Sequence, residues 1–268
     1  MVAPQIQIDL DNILEVAYLG VRRASIFMGL GVNAVLDPNY KAYQLTHITK
    51  LQLVPDNANE ETLTHFKEEF KTWVEGNGLR ELIETYSIFL DALHNACLLV
   101  RGSKEGIDIA SIATNQDTFQ KQGFPNKLSQ LRSNYSVGPK HADYMVSLNK
   151  ARNCLTHRRG IVAKEDADSE KGLKVAWLGM ETFVQTPSGE RLSLMNIPPE
   201  GVFVKDGGTV CMQFVERVKH FELHSLVRFT TRELGEICWF FQQEAQSTLM
   251  SAVEYAKVSG IEVQTKKE

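Results

Sequence analysis

The sequence predicts a mainly α-helical fold with a small antiparallel β insertion before the last helix. Long stretches place apolar residues three and four positions apart, which is the period of an amphipathic helix. Between about 165 and 228 this period gives way to Val, Trp and Phe separated by turn residues, which favours strands. With no internal repeat, we expect one domain of residues 1–268, with a helical core at 1–162 and 229–260 and the β insertion at about 165–228.

Three helices are predicted in the first hundred residues. Asp9 or Asp11 can cap the first, which reaches about Val35. The second begins at 57–60, and the glycines at 76 and 78 are expected to end it. The third carries the longest apolar stripe and should be central to a bundle; its members are Leu79, Leu82, Ile83, Tyr86, Phe89, Leu90, Leu93, Ala96, Cys97 and Val100. Asp91, His94 and Asn95 lie off this stripe and are expected on a solvated face.

The remaining segments are less regular. Residues 51–54 resemble a short strand, and the polar stretch 101–123 is predicted to be a mobile loop. A short helix is expected at 126–135. Another is expected to open at Gly138-Pro139 and end at Gly160. The last helix should begin at Thr230 or Thr231.

The β insertion is divided by turn signals. Strands are predicted at 173–185 and 191–195, on either side of a turn at 187–189. Glycines near 201 and 207 indicate another hairpin, whose return strand would cover 209–223. The charged residues 164–171 are expected to form a linker.

Composition excludes several classes of protein. The net charge of −4 excludes a basic surface over the whole molecule, so any nucleic-acid contact must be a local patch. The four cysteines contain no C-x-x-C pair, which argues against a zinc site and a disulfide framework, and no metal or other cofactor is expected. We see no signal peptide and no apolar run of membrane-spanning length, so a cytoplasmic protein without a membrane partner is expected.

The stretch at 149–160 concentrates the residues best suited to chemistry. Arg152 and Asn153 are followed by His157, and two further arginines come next. An imidazole can give or take a proton near neutral pH, and a guanidinium binds phosphate oxygens in pairs. Together they suit metal-free cleavage of RNA, in which the 2′-hydroxyl attacks phosphorus. That reaction needs both an acid and a base, so a single histidine implies a two-fold dimer.

The same stretch resembles the signature of the HEPN superfamily, R-x4-6-H with a polar residue, often Asn, directly after the Arg. The resemblance covers roughly 79–162. It implies a helical, dimeric, metal-independent endoribonuclease that leaves a 2′,3′-cyclic phosphate, with a composite site at the homodimer interface. Arg152, Asn153 and His157 would be its catalytic residues.

The resemblance also implies a substrate and partners. RNA phosphates would be held by the neighbouring polar residues, namely Asn149, Lys150, Arg158 and Arg159. Members of the family act as toxins or in antiviral defence, with an antitoxin or a sensor protein as partner. Two features depart from the family: Arg159 stands where some of its toxins carry a modified Tyr, and the β insertion is not part of the minimal fold.

Alternatives remain open for this motif. Cations at a helix C-terminus are favourable in themselves, which accounts in part for Arg158 and Arg159. The chain could instead be a non-catalytic interaction or nucleotide-binding module, or an enzyme acting on a free nucleotide. Among the other histidines, His220 and His224 are expected on a polar strand face, and only His94 and His141 are placed where they could approach the motif.

Overall fold

The computed structural model describes residues 7–38, 59–168, 171–195, 197–198, 200–205 and 207–264. Within these ranges the chain is mainly helical, and a small antiparallel sheet precedes the last helix, as predicted. The predicted strand-like stretch 51–54 lies outside the described residues. The elements are α1 (Leu10–Leu36), α2 (Glu60–Glu105), α3 (Ile109–Gln120), α4 (Phe124–Tyr135), α5 (Ala142–His157), β1 (Leu173–Gln185), β2 (Arg191–Ser193), β3 (Thr209–Phe221) and α6 (Thr231–Val258).

The central helix α2 is one continuous element of 46 residues, so the predicted break at its two glycines is wrong. Both glycines are sites of close packing. A Cβ added at Gly78 would lie 2.1 Å from the Met28 sulfur of α1, and one at Gly76 would lie 3.2 Å from the Leu155 Cβ of α5. Tertiary packing therefore explains these glycines, and their helix-breaking tendency is overridden. The predicted apolar stripe from Leu79 to Val100 is buried throughout.

Helix α1 lies along α2 and α6. The Asp9 carboxylate caps it by accepting hydrogen bonds from the backbone amides of Asp11 and Asn12. Within the described chain, α1 is the one helix long and apolar enough to cross a membrane, with a window of mean hydropathy 1.2 that is 28% buried. Only the length and composition of α1 point to a membrane span. A core helix of a soluble protein meets the same criteria, and α1 packs closely against α2.

The predicted loop at 101–123 is mostly helical. Asp108 caps α3 by accepting a hydrogen bond from the Ser111 amide at 3.0 Å, and Phe119 is buried against α2. His94 is buried as well, with its ring stacked on Phe119 at 3.8 Å between centroids. The expectation of a solvated face for His94 is therefore wrong, because α3 covers that side of α2. Helix α4 follows at the place the sequence predicts.

The motif helix α5 is shorter than predicted. It begins at Ala142 instead of Gly138-Pro139 and ends at His157 instead of Gly160. Its start is held by Glu244 of α6, which accepts hydrogen bonds from the His141 amide at 3.0 Å and from the His141 imidazole at 2.8 Å. Helix α6 begins with a capping box between Thr230 and Glu233.

The sheet has the strand order β2-β1-β3, so β1 is its central strand. The long strand β3 pairs along the whole of β1, from Leu173 opposite Phe221 to Gln185 opposite Thr209. The prediction that β3 returns within a separate hairpin is therefore corrected. One face of β1 enters the core through Val175 and Trp177, and the Trp177 indole donates to Glu236 of α6. The Ala176 amide donates a hydrogen bond to the Ser147 hydroxyl of α5 at 3.0 Å.

Candidate functional site

Helix α5 rests on α2 through one apolar face. Leu148, Ala151 and Leu155 are buried, as the sequence predicts. Leu155 sits against Gly76, and a Cβ on Gly160 would lie 3.5 Å from Thr72, so the C-terminal end of α5 follows the 72–76 segment of α2. This contact sets the height and rotation of the motif residues relative to α2.

Arg152 is half-buried beside α2. One of its terminal nitrogens donates to the Asn149 side chain at 3.0 Å, while its buried Nε has no partner among the described residues. Burial lowers the pKa of the guanidinium, and the carboxylate of Glu84 opposes that shift. Asn149 is 7% exposed and orients Arg152, so its predicted contact with a substrate phosphate stays a prediction.

His157 is the last residue of α5, and its side chain is exposed. Within the described part of the chain, no group donates a hydrogen bond to its imidazole, accepts one from it or pairs with it. Asn153 lies one turn earlier, half-buried and likewise without a side-chain hydrogen bond to any described residue. The imidazole is therefore open to a ligand or to another protein.

The backbone after His157 turns sharply. Arg159 has φ 51° and Gly160 has φ 80°, and both are left-handed. The amide of Gly160 donates to the Cys154 carbonyl at 3.1 Å, and the Val227 amide donates to the Gly160 carbonyl at 2.8 Å. A left-handed arginine is uncommon and costs roughly 1–2 kcal/mol. The turn leaves Arg159 exposed beside His157.

Two of the predicted phosphate-binding cations are paired within the protomer. The Arg158 guanidinium binds both oxygens of Asp166, which is 2% exposed, and Lys150 forms an ion pair with Asp168. Burial alone would raise the pKa of Asp166, but the Arg158 guanidinium and the hydrogen bond from the Ala163 amide have the larger combined effect. The pKa of this carboxyl is therefore lowered. Both aspartates lie in the stretch read from sequence as a charged linker, where nothing in the sequence predicts these pairs.

A fully buried carboxylate that was not predicted, Glu75, lies on α2 next to Gly76, the residue that packs against Leu155 of α5. It is 0% exposed, and neither of its oxygens has a well-formed hydrogen bond to a described residue. Burial raises its pKa to about 7, against the opposing effects of Arg228, Lys71 and the Phe229 amide. Arg228 is engaged elsewhere, since it binds Thr72 and Glu68. Glu75 could not be singled out from the sequence because it falls where a helix end was expected.

The remaining candidates lie away from the motif. His94 binds Gln116 at 2.8 Å, and its burial lowers its pKa. His141 is at the other end of α5 from His157, about 24 Å along the helix axis. Burial raises the pKa of the Cys154 thiol to about 12, which leaves it protonated and inert at neutral pH. Among the described residues, no three potential metal ligands cluster.

Comparison with family models, with curated proteins and with solved structures finds no match to this chain.

Proposed function

We propose that this protein is a metal-independent endoribonuclease of the HEPN type, acting in the cytoplasm as a toxin or defence effector. In this proposal its helices form a HEPN-like bundle, and two copies join so that Arg152 and His157 of both complete one site. The observation that carries the proposal is the state of His157, an exposed imidazole at the end of α5 that no described residue engages.

The roles of the motif residues follow from their chemistry. His157 of one copy takes the proton of the 2′-hydroxyl, and the freed oxygen attacks phosphorus. The bond from phosphorus to the 5′ oxygen breaks, and His157 of the second copy returns a proton to that leaving oxygen. Arg152 stabilises the negative charge of the pentacoordinate phosphorane with its guanidinium, whose buried Nε has no hydrogen-bond partner among the described residues. Asn153 orients the phosphate, and Arg159 holds a flanking one.

The surface beside the motif suits a second copy. Arg80 and Glu84 of α2 are the charges that act on Arg152. Trp73 and Ile88 lie on the same face of α2, at helical spacing from those two, and are 63% and 56% exposed. Large exposed apolar side chains around a polar centre are typical of a protein–protein contact.

The test is cleavage of a defined RNA in EDTA by wild type, His157→Ala and His65→Ala. His65 is a matched control because it is an exposed histidine on α2, with a long 3.7 Å contact to Glu69 and a tilted ring contact with Phe66. We expect a 2′,3′-cyclic phosphate product, a loss of about 10²–10⁴-fold in His157→Ala and no loss in His65→Ala. Equal cleavage by wild type and His157→Ala, or no cleavage by wild type with a panel of RNAs, would contradict the proposal.

A second candidate is a non-catalytic interaction module, and one observation favours it. Asp168 and Asp166 engage Lys150 and Arg158, so the motif offers RNA fewer free cations than its sequence suggests. Under this alternative, wild type does not cleave RNA, and His157→Ala weakens assembly with a protein partner. Labelled RNA separates the nuclease from the interaction module. For the nuclease, the affinity for RNA should rise strongly as the salt concentration falls, since phosphate contacts depend strongly on salt.

A further inference from the structure

The long strand β3 forms an open edge of the sheet. The order β2-β1-β3 leaves one side of β3 unpaired. Within the described chain, no backbone group of β3 bonds to backbone outside the β1 ladder, and the Thr209 carbonyl accepts a long 3.6 Å bond from the Cys211 thiol. The direction in which the backbone groups of β3 point can be worked out from its partner strand β1. Its amides at Lys174 and Ala176 bond to Asp168 and Ser147, away from β3. The even-numbered residues of β1 therefore point away from β3.

The same alternation applies to β3, because even residues of β1 stand opposite even residues of β3. The outward amides and carbonyls of β3 thus belong to its even positions, which also carry exposed apolar side chains. Val210 is 69% exposed, Met212 is 60% exposed and Phe214 is 56% exposed. One segment therefore presents both unpaired backbone groups and apolar surface.

Natural sheets protect such edges with charges, prolines, bulges or very short strands. The 209–215 segment, Thr-Val-Cys-Met-Gln-Phe-Val, contains no charge and no proline. Its register with β1 is unbroken, so it has no bulge. Protection begins only at Glu216, where charged residues enter the strand. The unprotected segment is centred on Met212.

We propose that 209–215 is a self-pairing edge, through which two copies of the chain join antiparallel about Met212 into one six-stranded sheet. A second copy fits better than an unrelated strand because the segment is self-complementary. With Met212 opposite its own copy, Val210 faces Phe214 of the second chain. The first charged residue, Glu216, falls opposite Gly208, so no like charges meet. Phe214 also stacks on Trp239 at 5.1 Å, which extends the apolar surface onto α6.

This interface is separate from the one in the proposed function. Next to the segment, Glu216 lies against Tyr144 near the start of α5, where burial and this carboxylate raise the tyrosine's pKa. His157 is at the opposite end of α5, about 20 Å along its axis. Two distinct two-fold contacts on one chain would build a tetramer or a chain of dimers.

The first test is molar mass by light scattering across a dilution series for wild type, Met212→Lys and Val258→Lys. Val258 is a matched control because it is 76% exposed at the end of α6. We expect Met212→Lys to halve the mass of the wild-type assembly of 30.2 kDa chains, with association weakened at least tenfold, and Val258→Lys to leave it unchanged. A Met212→Lys assembly as large as wild type, or a wild-type monomer at every concentration, overturns the proposal.

A second test addresses the backbone. Met212→Pro removes an outward amide without breaking the β1 ladder, whereas Met212→Thr keeps it. We expect the proline variant alone to dissociate, with both variants showing wild-type far-UV circular dichroism. Equal dissociation of the two would mean that side-chain packing, and no strand pairing, holds the copies together.

The register is tested by cross-linking. Directly opposed residues of a hydrogen-bonded pair have Cα atoms about 5.5 Å apart, within the reach of a disulfide. In a Cys211→Ser background, Met212→Cys should form a covalent dimer under mild oxidation, and Val258→Cys should not. Absence of the Met212 cross-link overturns the proposed pairing. RNA cleavage by wild type and His157→Ala is a separate readout, so a missing Met212 cross-link with His157-dependent cleavage retained contradicts the self-pairing edge alone.

Discussion

The two ends of α5 use the same kinds of residue in opposite ways. At the start, His141 is bound to Glu244, a carboxylate that is 2% exposed and receives both the backbone amide and the imidazole. At the end, His157 is exposed and unengaged by any described group. On α2, next to the Gly76 that packs against Leu155, the Glu75 carboxylate is buried without a well-formed hydrogen bond. One end satisfies its polar groups and stabilises the fold. The other leaves polar groups unsatisfied and includes a left-handed arginine, as functional sites often do.

The largest expected effect concerns Glu75. Its pKa is about 7 in the folded chain against 4.5 as the ordinary value, so the unfolded chain loses its proton first as the pH rises. The contribution of Glu75 to the free energy of unfolding is therefore fully present below pH 4.5. It is lost as the pH rises to 7 and above, and the loss is on the order of 3 kcal/mol.

Glu75→Gln should remove this dependence of stability on pH. Urea unfolding of the variant and of wild type between about pH 5 and about pH 8 measures it. Glu84→Gln is the matched control, since Glu84 is an exposed glutamate on the same helix. If Glu75→Gln kept the wild-type slope, Glu75 would not be the unsatisfied group that distinguishes the C-terminal end.

An intermediate effect is expected at the opposite end. His141→Ala removes a hydrogen bond to a buried carboxylate, which should lower the free energy of unfolding by about 2 kcal/mol. His157→Ala should change it by less than about 0.5 kcal/mol, because an exposed side chain without partners is lost. Thermal unfolding of the two variants side by side measures the contrast directly. Equal losses would show that His157 has a structural role that its exposure does not reveal.

The smallest expected effect is at Arg159. Arg159→Gly relieves a left-handed conformation and should raise the free energy of unfolding by up to about 1 kcal/mol. The same change should weaken RNA binding, because it removes an exposed cation beside His157. Chemical denaturation and a salt-dependent RNA-binding assay measure the two effects on one protein. A variant that is less stable than wild type would contradict the view that this turn is strained.

The sequence alone was sufficient to place helices and strands wherever the spacing of apolar residues along the chain determines them. The apolar stripe of 79–100 is buried as predicted, and β1 and the start of β3 fall where the β-type residues and turn signals place them. The placement of Arg152, Asn153 and His157 on one helix also followed from the sequence, because helical spacing is a local property.

Tertiary structure decided what depends on distant partners. Gly76 and Gly78 continue α2 because Leu155 and Met28 pack against them, a contact that no local pattern contains. The strand order could not be predicted from local patterns either, since β3 pairs with β1 although β2 separates them in the sequence. Lys150 and Arg158 are paired because the segment after α5 folds back with Asp168 and Asp166. Periodicity reports which side of an element is apolar, whereas burial of a charge is set by whatever the rest of the chain brings beside it.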